Sequence, residues 1–166
     1  QFSRLAQKKL KEFGVNYKQL DMINDEFVDL KGIEETLDKN VKVVFIQRSR
    51  GYSSRKPLFV KDIAEVVNTV KSINPECIVM VDNCYGEFVE KAEPTSAGAD
   101  LIVGSLIKNP GGGIAETGGY IAGKRTLVEK CACRLTSPGI GKECGATLNQ
   151  SRNMFKGLFF APHITG

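Results

Sequence analysis

The sequence predicts an α/β domain built on a mostly parallel sheet flanked by helices. Three observations predict it. Two short apolar runs rich in valine and isoleucine, Val41–Ile46 and Cys77–Val81, have the length and character of buried strands. Between them, Ile63, Val66, Val67, Val70 and Ile73 recur at helical spacing. Strands that alternate with helices along a chain pair in parallel, because the helix supplies the crossover.

The elements follow in order. Phe2, Leu5, Ala6, Leu10 and Phe13 recur at helical spacing, and Gly14 ends that helix. Residues 15–20 alternate and predict a short strand. Ile33–Leu37 predicts a short helix, and Val41–Ile46 the first buried strand. Residues 47–56 are polar, basic and glycine-containing, so they form a loop. Asp62 is placed to cap the helix that carries Ile63 to Ile73. Cys77–Val81 is the next strand, and Pro94 punctuates the mixed stretch after it. Leu101–Val103 is a very short strand, followed by Gly111, Gly112 and Gly113. Gly119–Ala122 is a further strand, Thr126–Cys133 a helix, residues 134–145 a loop, and Ala146–Phe160 the last helix. Gln47, Asp82 and Ser105 fall at strand carboxyl ends, where ligands of such sheets collect.

Composition narrows the function classes. The chain has 166 residues, enough for one domain with a sizeable core, and 42% are hydrophobic and 25% charged, as in a soluble globular protein. The formal charge of +4 is spread among acids, which argues against nucleic acid as a partner. No apolar stretch reaches membrane-spanning length, and no signal peptide opens the sequence, so membrane association is not expected. Five cysteines without regular spacing point to a reducing, cytoplasmic setting rather than a disulfide scaffold. They read mostly as small core hydrophobes. With a single histidine, His163, no metal site is expected. The chain lacks an initiating methionine and is expected to be part of a longer protein.

The chemistry concentrates around Lys108, in the run Ser105-Leu106-Ile107-Lys108-Asn109-Pro110 before the three glycines. A P-loop needs its lysine after the glycines, and a dinucleotide fingerprint would need glycine where Glu116 stands, so both readings fail. Upstream, Asp82 ends five apolar residues, where an unpaired carboxylate is costly and a cation is its natural partner. A carboxylate at one strand end and Ser-x-x-Lys at another is a set able to hold pyridoxal 5'-phosphate (PLP).

These residues carry a resemblance. Val81-Asp82-Asn83, Ala99-Asp100-Leu101-Ile102-Val103-Gly104-Ser105-Leu106-Ile107-Lys108 and Gly118-Gly119 resemble the core of fold-type-I PLP enzymes, which have the aspartate aminotransferase fold. The branch that looks most similar is that of the cystathionine and methionine lyases. Val44-Phe45-Ile46-Gln47-Arg48-Ser49, the continuation Cys84-Tyr85-Gly86-Glu87-Phe88, the Lys108 glycine run and Ser137-Pro138-Gly139-Ile140-Gly141-Lys142-Glu143 look like the group of aluminium-resistance, methionine-γ-lyase-like proteins. The resemblance implies that Lys108 bonds the cofactor covalently, Asp82 pairs with its ring nitrogen and Ser105 binds its phosphate. Tyr85 matches a tyrosine that bonds the cofactor's phenolic oxygen in aminotransferases, or is equally a packed aromatic. The freed Lys108 amine would take the substrate α-proton, with its pKa lowered by nearby positive charge and burial.

The implied function is a carbon–sulfur lyase of the cystathionine β-lyase or methionine γ-lyase type, acting on an amino-acid substrate as a homodimer or homotetramer. Other fold-type-I chemistry (an aminotransferase or a cysteine desulfurase-like enzyme), a non-catalytic stress-response scaffold and an α/β domain binding some other phosphate are the alternatives. The sequence departs from the better-known lyases at Ile107, which stands where they have threonine, and at residues 48–52, which lack their asparagine. Arg48 and Arg50 are either anion ligands or, as is commoner for loop arginines, solvated surface. Residues 1–166 read as the central part of the PLP-binding large domain, without its N-terminal segment and the C-terminal small domain. The apolar Phe155, Leu158, Phe159 and Phe160 are either an interface or one core helix face.

Overall fold

A computed structural model describes residues 4–135 and 149–165. Its centre is a four-stranded sheet in the order β1-β2-β3-β4: β1 is Val43–Gln47, β2 Ile78–Asp82, β3 Leu101–Ser105 and β4 Gly119–Gly123. The first three strands run parallel, and β4 returns antiparallel along β3. The connection between them, residues 106–118, carries a single short turn of 3-10 helix, Asn109–Gly111, and no crossover helix. The chain is thus α/β with a mostly parallel sheet.

The helices are α1 (Arg4–Glu12), α2 (Leu30–Thr36), α3 (Val60–Ile73), α4 (Arg125–Leu135) and α5 (Ser151–Thr165). Helix α3 covers one face of the sheet. Its Ile63, Val66, Val67 and Val70 are buried against Ile46, Val79, Val81 and Ile102, and Ile33 and Leu37 close the core from the side. In β2 the alternation is sharp: Val79 and Val81 are fully buried, whereas Ile78, Met80 and Asp82 are half-buried.

Three expectations are corrected. Residues 15–20 are exposed and form no strand; their alternation finds no partner strand to satisfy its backbone. Asp62 is not the residue before α3 but lies inside its first turn, where its Oδ2 accepts the Phe59 N–H at 2.8 Å. The last helix starts at Ser151 rather than Ala146, and residues 146–148 lie outside the described residues. A side-chain cap of the kind expected of Asp62 is found instead at α2, where Asp29 Oδ1 accepts the Gly32 N–H at 2.8 Å.

At the amino end of the sheet, the buried Asp100 collects three donors. Its carboxylate takes the Val79 N–H at 2.7 Å, Lys71 Nζ at 2.7 Å and Lys124 Nζ at 2.6 Å. Burial pushes this carboxyl up, but the hydrogen bonds from Lys124, Lys71 and Val79 outweigh it and hold it below its ordinary value. This cluster ties α3 and the loop after β4 to the central strand.

Candidate active site at the carboxyl end of the sheet

Three parallel strands deliver their last residues, Gln47, Asp82 and Ser105, to one edge. Gln47 and Asp82 are register partners, and Asp82 pairs with Val103 on β3. Beyond β3 the chain turns, with the Lys108 N–H donating to the Ser105 carbonyl at 3.3 Å. Lys108 Nζ lies 4.6 Å from the centroid of the Tyr85 ring, a cation–π contact. Beneath them, the Cys84 N–H donates to Asp82 Oδ1 at 3.1 Å. Asp82 and Cys84 lie close enough to Lys108 to act on the charge of its amine. Lys108, Asp82 and Tyr85 therefore share one cluster, and Ser105 stands on the same edge.

The electrostatics correct one expectation. Burial acts to lower the Lys108 pKa, but Cys84, Tyr85 and Asp82 outweigh it and hold the ammonium above its ordinary value. The neighbours within reach are acidic groups, not the positive charge that was expected. Burial, then Asp82, pushes the Cys84 thiol up, so it keeps its proton at neutral pH. Tyr85 is 58% exposed and is not a packed aromatic. Its φ of +67° and that of Phe88, +63°, are left-handed, a strain of about 1–3 kcal/mol each.

A buried polar network offsets that strain. Arg48, read from sequence as a loop arginine, is only 3% exposed. Its guanidinium donates to Asn83 Oδ1 at 2.7 Å, Glu90 Oε2 at 2.6 Å, Glu93 Oε2 at 3.4 Å and the Leu58 carbonyl at 3.3 Å. Asn83 in turn donates to Glu93 Oε2 at 2.8 Å and to the Tyr120 hydroxyl at 3.2 Å, and that hydroxyl donates to Glu87 Oε1 at 2.9 Å. Burial raises the Glu87 carboxyl above its ordinary value. Asn109 Nδ2 donates to the Glu87 carbonyl at 3.2 Å and so ties the lysine turn to this network.

On its other side the lysine turn rests on α5. Gly112 has φ +55°, and a Cβ there would meet the Gly157 carbonyl; a Cβ on Gly157 would collide with the Gly111 carbonyl. Two backbones meet where no side chain fits. Gly157 and Ala161 form the buried side of α5, whereas Phe155, Leu158, Phe159 and Phe160 are exposed, so these four are not a core face of this chain.

A cavity of about 410 Å³ opens beside Tyr85, walled by Leu58, Phe59 and Val89 with Arg50 among its lining residues. The Ser137–Glu143 stretch lies outside the described residues. Lys108, Asp82, Ser105 and Tyr85 are singled out from sequence, whereas Cys84 and Glu87 are not, and Arg48 reads as an anion ligand or solvated surface rather than as the centre of a buried network. The one signal for Cys84 was its position two residues after Asp82, where an aspartate-led turn brings the next backbone amides to the carboxylate. Among the described residues no helix is long and apolar enough to cross a membrane.

Comparison with known proteins agrees with this architecture. The chain is 49% identical over 155 residues to the uncharacterized protein YnbB of Bacillus subtilis, covering 93% of this chain and 37% of that protein. It is 54% identical to a crystal structure described as a carbon-sulfur lyase involved in aluminum resistance from Clostridium novyi, with a TM-score of 0.88, covering 94% of this chain and 37% of that one. A cystathionine gamma-lyase of Lactobacillus plantarum, at 20% identity and a TM-score of 0.69 over 95% of this chain and 38% of its own, shares the fold. The chain thus spans well under half the length of these proteins. The sequence profile of the methionine gamma-lyase family matches residues 3–166, and the chain belongs to that family.

Proposed function

We propose that the whole protein is a PLP-dependent carbon–sulfur lyase acting on a sulfur-containing amino acid, with this chain as the central part of its cofactor-binding domain. The observation that carries the reading is the meeting of Lys108, Asp82 and Tyr85 at the carboxyl end of the sheet. The residues present fit PLP. They offer an amine for an aldehyde, a carboxylate for a cationic ring nitrogen and, on the same edge, a hydroxyl for phosphate. Family membership supports the same cofactor, since methionine gamma-lyases are PLP-dependent in general.

When bound, PLP withdraws electrons from the bonds at the substrate α-carbon, which eases loss of the α-proton and departure of a thiol. The residues of this chain bind, orient and move protons. Lys108 would hold the cofactor through Nζ, and its free amine would take the proton from the substrate α-carbon. Asp82 would hold the ring nitrogen in its charged form. Ser105 would donate its hydroxyl to the phosphate. Tyr85 walls the space over Lys108, and the Arg48 network keeps that wall in its strained conformation. Orientation at this site selects which bond breaks.

The reading includes a homodimer or homotetramer, supported by the exposed aromatic face of α5, and a cytoplasmic setting, supported by the free thiols of Cys77 and Cys84. The test is borohydride reduction of the full-length protein mixed with PLP, followed by peptide mass spectrometry. A stable pyridoxyl label on Lys108, and its loss in Lys108→Met, is the expected result; a label elsewhere overturns the assignment. Release of keto acid, ammonia and thiol from cystathionine or methionine tests the lyase step, and amino-group transfer to a keto acid would favour an aminotransferase instead.

A further inference from the structure

We propose that the cavity beside Tyr85 receives the side chain of the amino-acid substrate, and that Arg50 on its wall selects a thioether whose far end carries a carboxylate. The inference rests on the proposed function and names the class of substrate that site would take.

Topology sets the path. Lys108 follows β3, Tyr85 follows β2 and Arg50 follows β1, and the three strands are neighbours in that order. At the usual strand spacing the arginine loop stands two strands, roughly 10 Å, from the lysine edge. Tyr85 belongs to both regions. Lys108 Nζ lies 4.6 Å from its ring centroid, and the same residue lines the cavity. A substrate with its α-carbon at Lys108 thus has room for its side chain past Tyr85, toward the loop after β1. The volume of about 410 Å³ is that of a pocket for a small organic ligand.

The walls define the side chain that fits. Leu58, Phe59 and Val89 supply apolar surface, which suits methylenes and a thioether sulfur. Three charged residues line the cavity, Arg48, Arg50 and Glu90. Two of them are committed. Glu90 Oε2 accepts from Arg48 at 2.6 Å and from the Val60 N–H at 3.0 Å, and Arg48 also serves Glu93, Asn83 and the Leu58 carbonyl. Arg50 is exposed, and among the described residues no hydrogen bond or ion pair engages its guanidinium.

The backbone that carries Arg50 is held in place. Its carbonyl accepts the Ser53 N–H at 3.1 Å and the Ser53 hydroxyl at 2.7 Å. Arg55 donates to the Gln47 carbonyl at 2.8 Å and to the Ser49 carbonyl, which also accepts Gln47 Nε2 at 3.2 Å. Ordering done in advance leaves less freedom to lose on binding. A guanidinium set beside an apolar cavity matches a carboxylate, which it can bond through two N–H groups at once. A methyl-ended thioether would cover the apolar walls and leave Arg50 unused. In the proposed function the cofactor phosphate goes to Ser105, on β3 and two strands away.

The test is calorimetric titration of the full-length protein, with PLP added, against two ligands of the same shape. One is 2-aminopimelate, in which a methylene replaces the sulfur so that no thiol can leave; the other is its side-chain carboxamide. We expect the acid to bind about tenfold tighter than the amide, the effect of a charge-assisted pair. Arg50→Leu should remove that preference, and Arg50→Lys should keep part of it. Val89→Trp, which fills the cavity from an exposed position, should weaken both ligands alike. Equal affinity of acid and amide overturns the proposal, as does a preference that survives Arg50→Leu. Affinities untouched by Val89→Trp overturn it too, because the side chain then lies elsewhere. Binding is read without turnover, so the two claims separate. An acid preference without a borohydride label on Lys108 removes the enzyme reading alone, and a label without the preference removes the pocket alone.

Discussion

Each end of the sheet sets an aspartate against lysine, and the two pairs are built differently. At the amino end, Asp100 is buried and takes three short hydrogen bonds from Val79, Lys71 and Lys124. At the carboxyl end, Asp82 is half-buried, and its carboxylate accepts the Cys84 N–H at 3.1 Å with Lys108 nearby. The first carboxylate has its partners supplied by the fold. The second faces an open edge with binding capacity to spare. The same two residue types thus serve as a clamp in one place and, in the proposed function, as a receptor in the other, and the number of donors already engaged separates them.

The largest effect is expected at the clamp. Asp100→Ala leaves the Val79 N–H without its acceptor and the Lys71 ammonium with only the Cys77 and Pro75 carbonyls, and should cost about 3–5 kcal/mol, read by urea unfolding. The sign of the pH dependence sharpens the point. Because the folded-state pKa of Asp100 lies below the ordinary 3.8, its contribution is complete above that value and lost as pH falls toward the folded-state value. Asp100→Ala should flatten that acid limb. Next is Arg48→Leu, which strands Asn83, Glu90 and Glu93 at the back of the receptor end. The cost should be about 3 kcal/mol, at the low end because both glutamates keep some contact with water.

Asp82→Asn breaks the comparison from the other side. It should change unfolding free energy by less than about 1 kcal/mol, since few native bonds depend on the charge. The same substitution should sharply slow α-proton exchange in amino acids, the outcome that the proposed chemistry requires. A stability loss equal to that of Asp100→Ala would show that Asp82 is a second clamp. The smallest effect concerns Glu87. Its folded-state pKa is raised above 4.5, so the folded state keeps a proton that the unfolded chain releases, and stability falls as pH rises from 4.5 through the folded-state value. Glu87→Gln should remove this slope from melting temperatures measured between mildly acidic and mildly alkaline buffer, with little change at the acid end.

The receptor end is the more legible from sequence. Asp82 closes an apolar run and Lys108 follows a strand with fixed spacing from Ser105, so local order alone brings out the set. The strands and α3 are legible for the same reason, since their periodicity is local. What escapes depends on distance along the chain. Arg48 looks like a loop arginine until Glu90 and Glu93, 42 and 45 residues later, close around it. Residues 15–20 alternate like a strand, but pairing needs a free edge that periodicity cannot reveal. Cys84 reads as a core hydrophobe and is indeed buried, and its backbone N–H holds the Asp82 carboxylate. The raised Lys108 pKa escapes because its sign depends on which neighbours lie within reach.

The glycine-to-glycine seam between the lysine turn and α5 has a practical consequence for genetics. Residue 157 is remote in sequence from any candidate reactive group, and a change there would ordinarily be filed as a helix mutation. Any side chain at that spot must push the turn that carries Lys108, so its signature should be a misplaced amine on an otherwise intact molecule. Loss-of-function alleles at Gly157 would then phenocopy damage to the reactive lysine while leaving expression normal.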